Sequence, residues 1–444
     1  MSRHARALEE LNIPTVAGAG ANIVGYATGY DFQYSNGMPI RYVGFPFPVA
    51  GQPKAVHHRY VFEGTDQVSG KPMMQAIIDA LTKPLTEKEK ISGEPPAAKP
   101  EPRLLPPDTE DNLQRLFKDK DWTDYLPITP PTEARVAAML KETSHKPDEI
   151  VKVINWPGGS RPMTVEKVAV CAVMAGASPE YFPLILALST AVPFGNSTTS
   201  MANMIVVNGP IRNRLKMNYG GNAMGPHNEV NATVGRTFTL LSKTAGGLHA
   251  GKTTWSSLGS NLQYNNLCIA ENEEALPEGW LPLHVQMGNK PTDSVVTVGT
   301  GWSYISSVGE VQRSYPAQML IRDYMRALSG QGGATIVMDP TVAALLRDTQ
   351  GFKTKSELGQ WLADNVEKTV ASFFGNGVVA TFAASLAFQG LEPYATYMKG
   401  PPETLMKPFN AKNVQVVVVG GKIQTTWFVT DFRLGRGAVI DNWR

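Results

Sequence analysis

Two stretches of this 444-residue sequence hold side chains whose types and spacing suit chemistry. The first is "NGPIRNRLKMNYGGNAMGPHNEVNATVGR", residues 208–236. Six asparagines, five glycines, three arginines, two prolines and a histidine crowd into one segment too rich in turns to be helix throughout. Gly220-Gly221-Asn222 and Gly225-Pro226 make it a loop, leading into a helix that begins near 229–231. Side-chain amides before a helix N-terminus present donors and a positive dipole end, which suits a carboxylate, phosphate or other oxyanion. An arginine fork can hold the same anion. The candidate substrate-binding residues are therefore Asn208, Arg212, Asn222, Asn231 and Arg236. The same composition also fits a loop whose amides cap its own backbone.

The second stretch is "LCIAENEEALPEGWLPLHVQMG", residues 267–288. An apolar strand ends at Ala270 and delivers Glu271, Glu273 and Glu274 at its tip, with His284 further on. Residues at strand tips often line sites, and a carboxylate beside a histidine can do acid–base work or hold a metal. Side-chain alternation puts Glu271 on the cleft side and Glu274 away from it. Glu271 is the candidate for proton transfer. His227, Glu229, His249, Glu271 and His284 together form an alternative metal-dependent set, although their spacing matches no strong metal signature. Cys171 and Cys268 each sit among apolar residues and read as buried small hydrophobes. There is no P-loop, no GxSxG and no GxGxxG, and no residue pattern names a cofactor.

Something must position these groups, and the composition limits what it is. Hydrophobic residues make up 42% and charged residues 18%, enough apolar material for two or three domains with cores. A net charge of +2 gives no basic stripe for nucleic acid or anionic membrane. No apolar run reaches about 18 residues, so no membrane span is expected. Two cysteines in separate segments make no disulfide framework, and a reducing cytoplasm is the simplest compartment.

Six prolines with mixed charge in residues 89–110 mark an extended linker. It separates a first domain, 1–88, from a larger one, 111–444. In the first, a helix over 3–11 feeds a strand over 13–16, a second strand covers 41–45, and an amphipathic helix covers 71–81. A helix entering a buried parallel strand is the second half of a βαβ unit, so a strand is expected ahead of it. In the second domain helices and strands alternate. Strands are predicted over 204–207, 262–270, 294–298 and 334–338, with helices over 164–174, 231–245, 314–328 and 354–373. A hairpin over 414–429, turning at Gly420-Gly421, closes the chain, and no repeat of fixed period is visible.

Several stretches, taken in order, resemble the UGSC-motif proteins, a family grouped with thioredoxin-like selenoproteins. They are "ALEELNIPTV", "FPVAGQP", "GKPMMQAIIDALTKPLTE", "TVEKVAVCAVMAGASPEYFPLILA", the whole of 208–236, "CIAENEEALPEGWLPLHVQMG" and "VVVVGG". In that family a Sec/Cys-Gly-Ser-Cys signature follows a first strand and precedes the helix matching 3–11. This sequence carries neither. His227 stands where the family has glycine, which marks it as a second candidate catalytic residue. The resemblance implies thiol- or selenol-type chemistry, with the first strand and its reactive pair on a smaller partner subunit that adds its strand to this chain. The alternative is a single-chain member that has lost the motif. The fold expected is α/β: a truncated Rossmann-like parallel-sheet domain plus a larger mixed α/β domain. The function expected is the large subunit of a heteromeric, oligomeric cytoplasmic enzyme acting on a small oxyanion-bearing molecule. A metal-dependent hydrolase, lyase or hydratase and a non-catalytic binding subunit are the other classes.

Overall fold

The computed structural model describes residues 2–21, 40–46, 49, 52–87, 89, 102–156, 159–191, 201–248, 258–260, 266–308, 315–329 and 332–444. His249, most of the linker and residues 262–265 of a predicted strand lie outside them. The fold is α/β, with parallel, antiparallel and mixed sheets. Contacts divide the chain into two units. The first contains Met1–Pro107, Asn155–Ser160 and Val370–Thr404; the second contains Asp108–Ile154, Arg161–Thr369 and Leu405–Arg444.

In the first unit, the helix Ser2–Glu9 is closed by Asn12 at φ 59°, with Ile13 N donating to Leu8 O at 3.0 Å. The apolar pattern puts the next strand at 13–16, but β1 is Val16–Gly20. The reason is local. Pro14 has no N–H to offer a ladder, and the Glu9 carboxylate takes both Thr15 N (2.5 Å) and Thr15 Oγ (2.8 Å). Strand β2, Arg41–Phe45, pairs with β1 in parallel, from Val16↔Arg41 to Gly20↔Phe45. A side chain on Gly18 would reach within 2.4 Å of the Phe45 ring, which accounts for the small residues of β1. Val43, Met73 and Ala76 form a small core under the helix Met73–Thr82. The helices Val370–Gly375, Gly377–Phe388 and Tyr394–Lys399 also belong to this unit.

The paired strands β3 (Ile150–Trp156) and β4 (Gly159–Thr164) precede the second unit's main body, which is built in four layers. One sheet contains β5 (Ala202–Asn208), β6 (Leu267–Ala270) and β7 (Val295–Gly301). The other contains β8 (Tyr304–Val308) and β9 (Gly332–Met338). After the short pair β10 (Lys368–Thr369) and β11 (Leu405–Met406), β12 (Phe409–Val418) and β13 (Thr426–Thr430) complete that second sheet. Strands β14 (Arg433–Leu434) and β15 (Ala438–Val439) return to the first sheet, on β7.

Alternation along each strand makes the layers. Ile205, Val207, Cys268, Ala270, Val296 and Val298 face helices Val165–Met174, Phe182–Ala191 and Glu229–Thr244. Met204, Val206, Leu267 and Ile269 face the other sheet, meeting Val337, Val417 and Phe428. Ile336, Met338, Val416, Val418 and Trp427 then face helices Ala317–Met325 and Lys355–Asn365.

The two sheets share one plan. In each, a central strand (β5; β9) is followed by a crossover helix (Glu229–Thr244; Lys355–Asn365) and a parallel outer strand (β6; β12). An antiparallel strand then pairs on the other side (β7; β13), and a fourth comes from the opposite half (β14; β8). The unit is thus an internal pseudo-repeat with exchanged last strands, invisible as a sequence period. The same plan overturns the expected hairpin at Gly420-Gly421: β12 and β13 do not pair, because β9 lies between them. β9 is buried along nearly its whole length and needs partners on both edges, and residues 419–425 are long enough to step across it.

Candidate functional site

The parallel strands β5 and β6 end side by side, with Val207 opposite Ala270, so Asn208 and Glu271 are neighbours. Carboxyl ends of parallel strands are where α/β sheets commonly place ligands. Glu271 is fully buried, and its side chain collects donors from four elements. Oε2 accepts from Asn208 Nδ2 (2.7 Å) and from Leu283 N (2.7 Å) at the start of the helix Leu283–Gln286. Oε1 accepts from Lys355 Nζ (2.5 Å) and from Val418 N (3.3 Å) at the end of β12. Glu271 therefore ties the first sheet to the second instead of facing an open cleft.

Arg212 is the second centre and is also buried. Its guanidinium donates to the Glu271 backbone O (2.6 Å), to Gly209 O (3.0 Å) and to Glu274 through two nitrogens (3.0 and 3.1 Å). It also meets Glu273 Oε2 at 3.0 Å and lies 4.8 Å from the Tyr219 ring centre. Burial pushes the Glu274 carboxyl up, but the bonds from Arg212 and Asn213 prevail and leave it below its ordinary value. Alternation places Glu274 on the side away from Glu271, yet its half-exposed carboxylate is the forked partner of the arginine. The turn that presents Arg212 needs glycine at 209: φ is +84°, and a Cβ there would stand 2.1 Å from Asp293 O.

Glu273, between these centres, accepts from Asn208 Nδ2 (2.9 Å) and Gly209 N (2.7 Å) through Oε1. The same oxygen lies 3.9 Å from Nδ1 of His284, a fully buried histidine. Neither ring nitrogen of His284, nor Asn208 Oδ1, has a hydrogen-bond partner among the described residues. Three carboxylates thus surround two cations. No family model, curated protein or solved structure matches this chain.

Of the residues picked from the sequence, the fold brings together Asn208, Arg212, Glu271 and His284, the last from the alternative metal set. The others are used elsewhere. Asn231 exchanges two bonds with the backbone of Asn218 (3.2 and 3.0 Å). Asn222 is exposed at φ 62° and donates to Pro226 O (3.2 Å), while Asn228 reaches Asn222 O and Gly225 O. These amides cap their own loop. Arg236 forks onto Asp124 (2.9 and 3.1 Å) and Pro127 O (2.7 Å). His227 is exposed at φ 72°, with no described contact to Glu271. Among the described residues no three His, Cys, Asp or Glu side chains are grouped as a metal site. Both thiols are buried, and burial pushes Cys171 up to about 11, against a hydrogen bond to Thr244, and Cys268 up to about 12.

The residue that sequence reasoning missed is Lys355. No local pattern marks it: the helix dipole disfavours a lysine in a first turn only slightly when the side chain stays in water, as Lys54 does at the start of the helix Lys54–Phe62. Thr354 caps the helix Lys355–Asn365 by accepting from Glu357 N (3.1 Å), which fixes where the lysine starts.

Proposed function

We propose that this chain is the substrate-handling subunit of an enzyme whose reaction takes place at the carboxyl ends of β5 and β6. The observation that carries this reading is the unpartnered set in an otherwise saturated network: Asn208 Oδ1 and both His284 nitrogens. A buried polar group without a partner costs about 1–3 kcal/mol, and these sit where α/β sheets take small molecules. The network favours a small neutral or cationic polar molecule over the oxyanion suggested by the loop composition. Arg212 is already held by Glu273 and Glu274, and Lys355 by Glu271.

The UGSC resemblance supports thiol-type chemistry, and the buried state of Cys171 and Cys268 supports a sulfur nucleophile brought by a smaller partner subunit. Such a heteromer would work in a reducing cytoplasm. No helix among the described residues is long and apolar enough to cross a membrane.

A panel of small hydroxy compounds, amides, amines, thiols and phosphate, screened by thermal shift on the full chain, tests the site. One chemical class is expected to raise the melting temperature of wild type and of a control, Arg135→Ala, but not of Glu273→Gln. A panel that shifts nothing, or a shift that Glu273→Gln retains in full, overturns the reading. Mass measurement of the co-purified assembly tests the partner, and a fully active monomer removes it.

A further inference from the structure

Resting on this reading of the site, we propose that His284 is its general base, with Glu273 as the positioning residue that orients the imidazole. The geometry of Glu273 is fixed from three sides: Gly209 N (2.7 Å) and Asn208 Nδ2 (2.9 Å) on Oε1, and Arg212 (3.0 Å) on Oε2. His284 is fixed by its backbone. Leu283 N is held by Glu271 Oε2 (2.7 Å), and His284 O accepts from Asn289 N (3.0 Å) and Asn289 Nδ2 (3.1 Å). What separates the pair is the 3.9 Å between Nδ1 and Glu273 Oε1. Catalytic hydrogen bonds are commonly long before a ligand arrives and tighten in the complex.

A carboxylate facing Nδ1 selects the tautomer that carries its proton there, which leaves the Nε2 lone pair as the acceptor. The step is a simple proton transfer. An O–H, N–H or S–H of the bound molecule gives its proton to Nε2, the bonding pair stays on the donor atom, and an imidazolium forms. The network is prepared for that charge. Glu271, Glu273 and Glu274 face only Lys355 and Arg212, so one negative charge is in excess. Glu273 need not leave Arg212, because it meets the guanidinium through Oε2 and faces the imidazole through Oε1. The preferred ligand is accordingly a small molecule with an ionisable X–H and no negative charge of its own.

The test reads the tautomer directly, by nitrogen-15 spectroscopy of the full chain labelled at its seven histidines, with His284 assigned from His284→Gln. Wild type is expected to show His284 protonated at Nδ1. In Glu273→Gln the ratio of the tautomers is expected to move severalfold towards Nε2–H, while Glu278→Gln leaves it unchanged. Should Glu273→Gln fail to fold, Glu273→Asp withdraws the carboxylate by one methylene and is expected to move the ratio the same way. An Nε2–H tautomer in wild type, or a ratio untouched by the Glu273 variants, overturns the proposal. The measurement needs no ligand, so an empty ligand panel removes the site reading on separate grounds.

Discussion

The two halves of the second unit carry the same strands and very different strand ends. In the first half, β5 ends in Asn208-Gly209-Pro210 and β6 is followed by Glu271. In the second, β9 ends in Asp339-Pro340 and β12 is followed by Val419-Gly420-Gly421. Asn208 opens into a network that joins both sheets. Asp339 serves its own turn and the start of β13, accepting from Thr341 N (2.7 Å), Val342 N (3.0 Å) and Thr426 N (2.6 Å). The glycines opposite serve as spacers: a side chain on Gly421 would stand 2.9 Å from Gly221 N. A near-symmetric scaffold thus carries a one-sided polar site. The difference lies at one residue per strand end, since Glu271 has Val419 as its counterpart.

The largest effect should come from breaking the link between the halves. Lys355→Met leaves the Glu271 carboxylate buried without its cation and should destabilise the chain by about 3–5 kcal/mol in urea unfolding. Adding Glu271→Gln removes the buried charge but keeps an acceptor for Asn208 Nδ2 and Leu283 N, and should recover part of that loss. If the double variant is no more stable than Lys355→Met alone, the pair is not the tie described here. Next comes Gly209→Ala, which combines a positive φ with a backbone clash and should cost about 1–3 kcal/mol. Because Gly209 N also holds Glu273, the ligand response should fall with it.

The matching position in the other half should behave differently. Asp339→Ala removes a helix cap and should cost about 1 kcal/mol, with the ligand response of the folded protein unchanged. A lost response there would show that the halves share the site. The smallest effect concerns the chain terminus, which returns from the second half to the first. The His145 ring donates to Glu149 Oε1 (2.8 Å) and to Asn442 O (2.8 Å) and stacks on Trp443 at 4.6 Å. The Asn442 carbonyl bond, opposed by burial and aided by Glu149, raises its pKa above the ordinary value. A raised pKa means stability that is fully present below about 6.5, the unfolded value, and lost as pH rises through the folded one. Melting curves should therefore lose a small contribution as pH rises from about 6.5 through the folded pKa, and His145→Gln should flatten that slope.

Local patterns carried much of the fold into view. The strand expected at 41–45 is observed as Arg41–Phe45, and the helix at 71–81 as Met73–Thr82. Loop 208–236 was legible as a turn-rich segment before a helix, and self-capping amides were one of its two readings. Here the asparagines Asn218, Asn222, Asn228 and Asn231 realise that reading. Glu271 was legible as a special residue because it follows an apolar strand, but not as a buried one.

What the sequence by itself determined is what depends on near neighbours: element type, caps, turns and the apolar faces that must be covered. It set Gly209 for a left-handed turn and Thr354 for a helix start. Tertiary structure alone decided which strand pairs with which, and therefore which charges meet. Glu271 and Lys355 lie far apart in the chain, and they meet only because two independently wound sheets stack on Val206, Ile269, Val337 and Val417. The physical reason is that hydrophobic burial is non-directional. Alternation says that a strand face must be buried, not against which partner. The partner is fixed by the whole layered packing, and the polar site forms where that packing brings strand ends together.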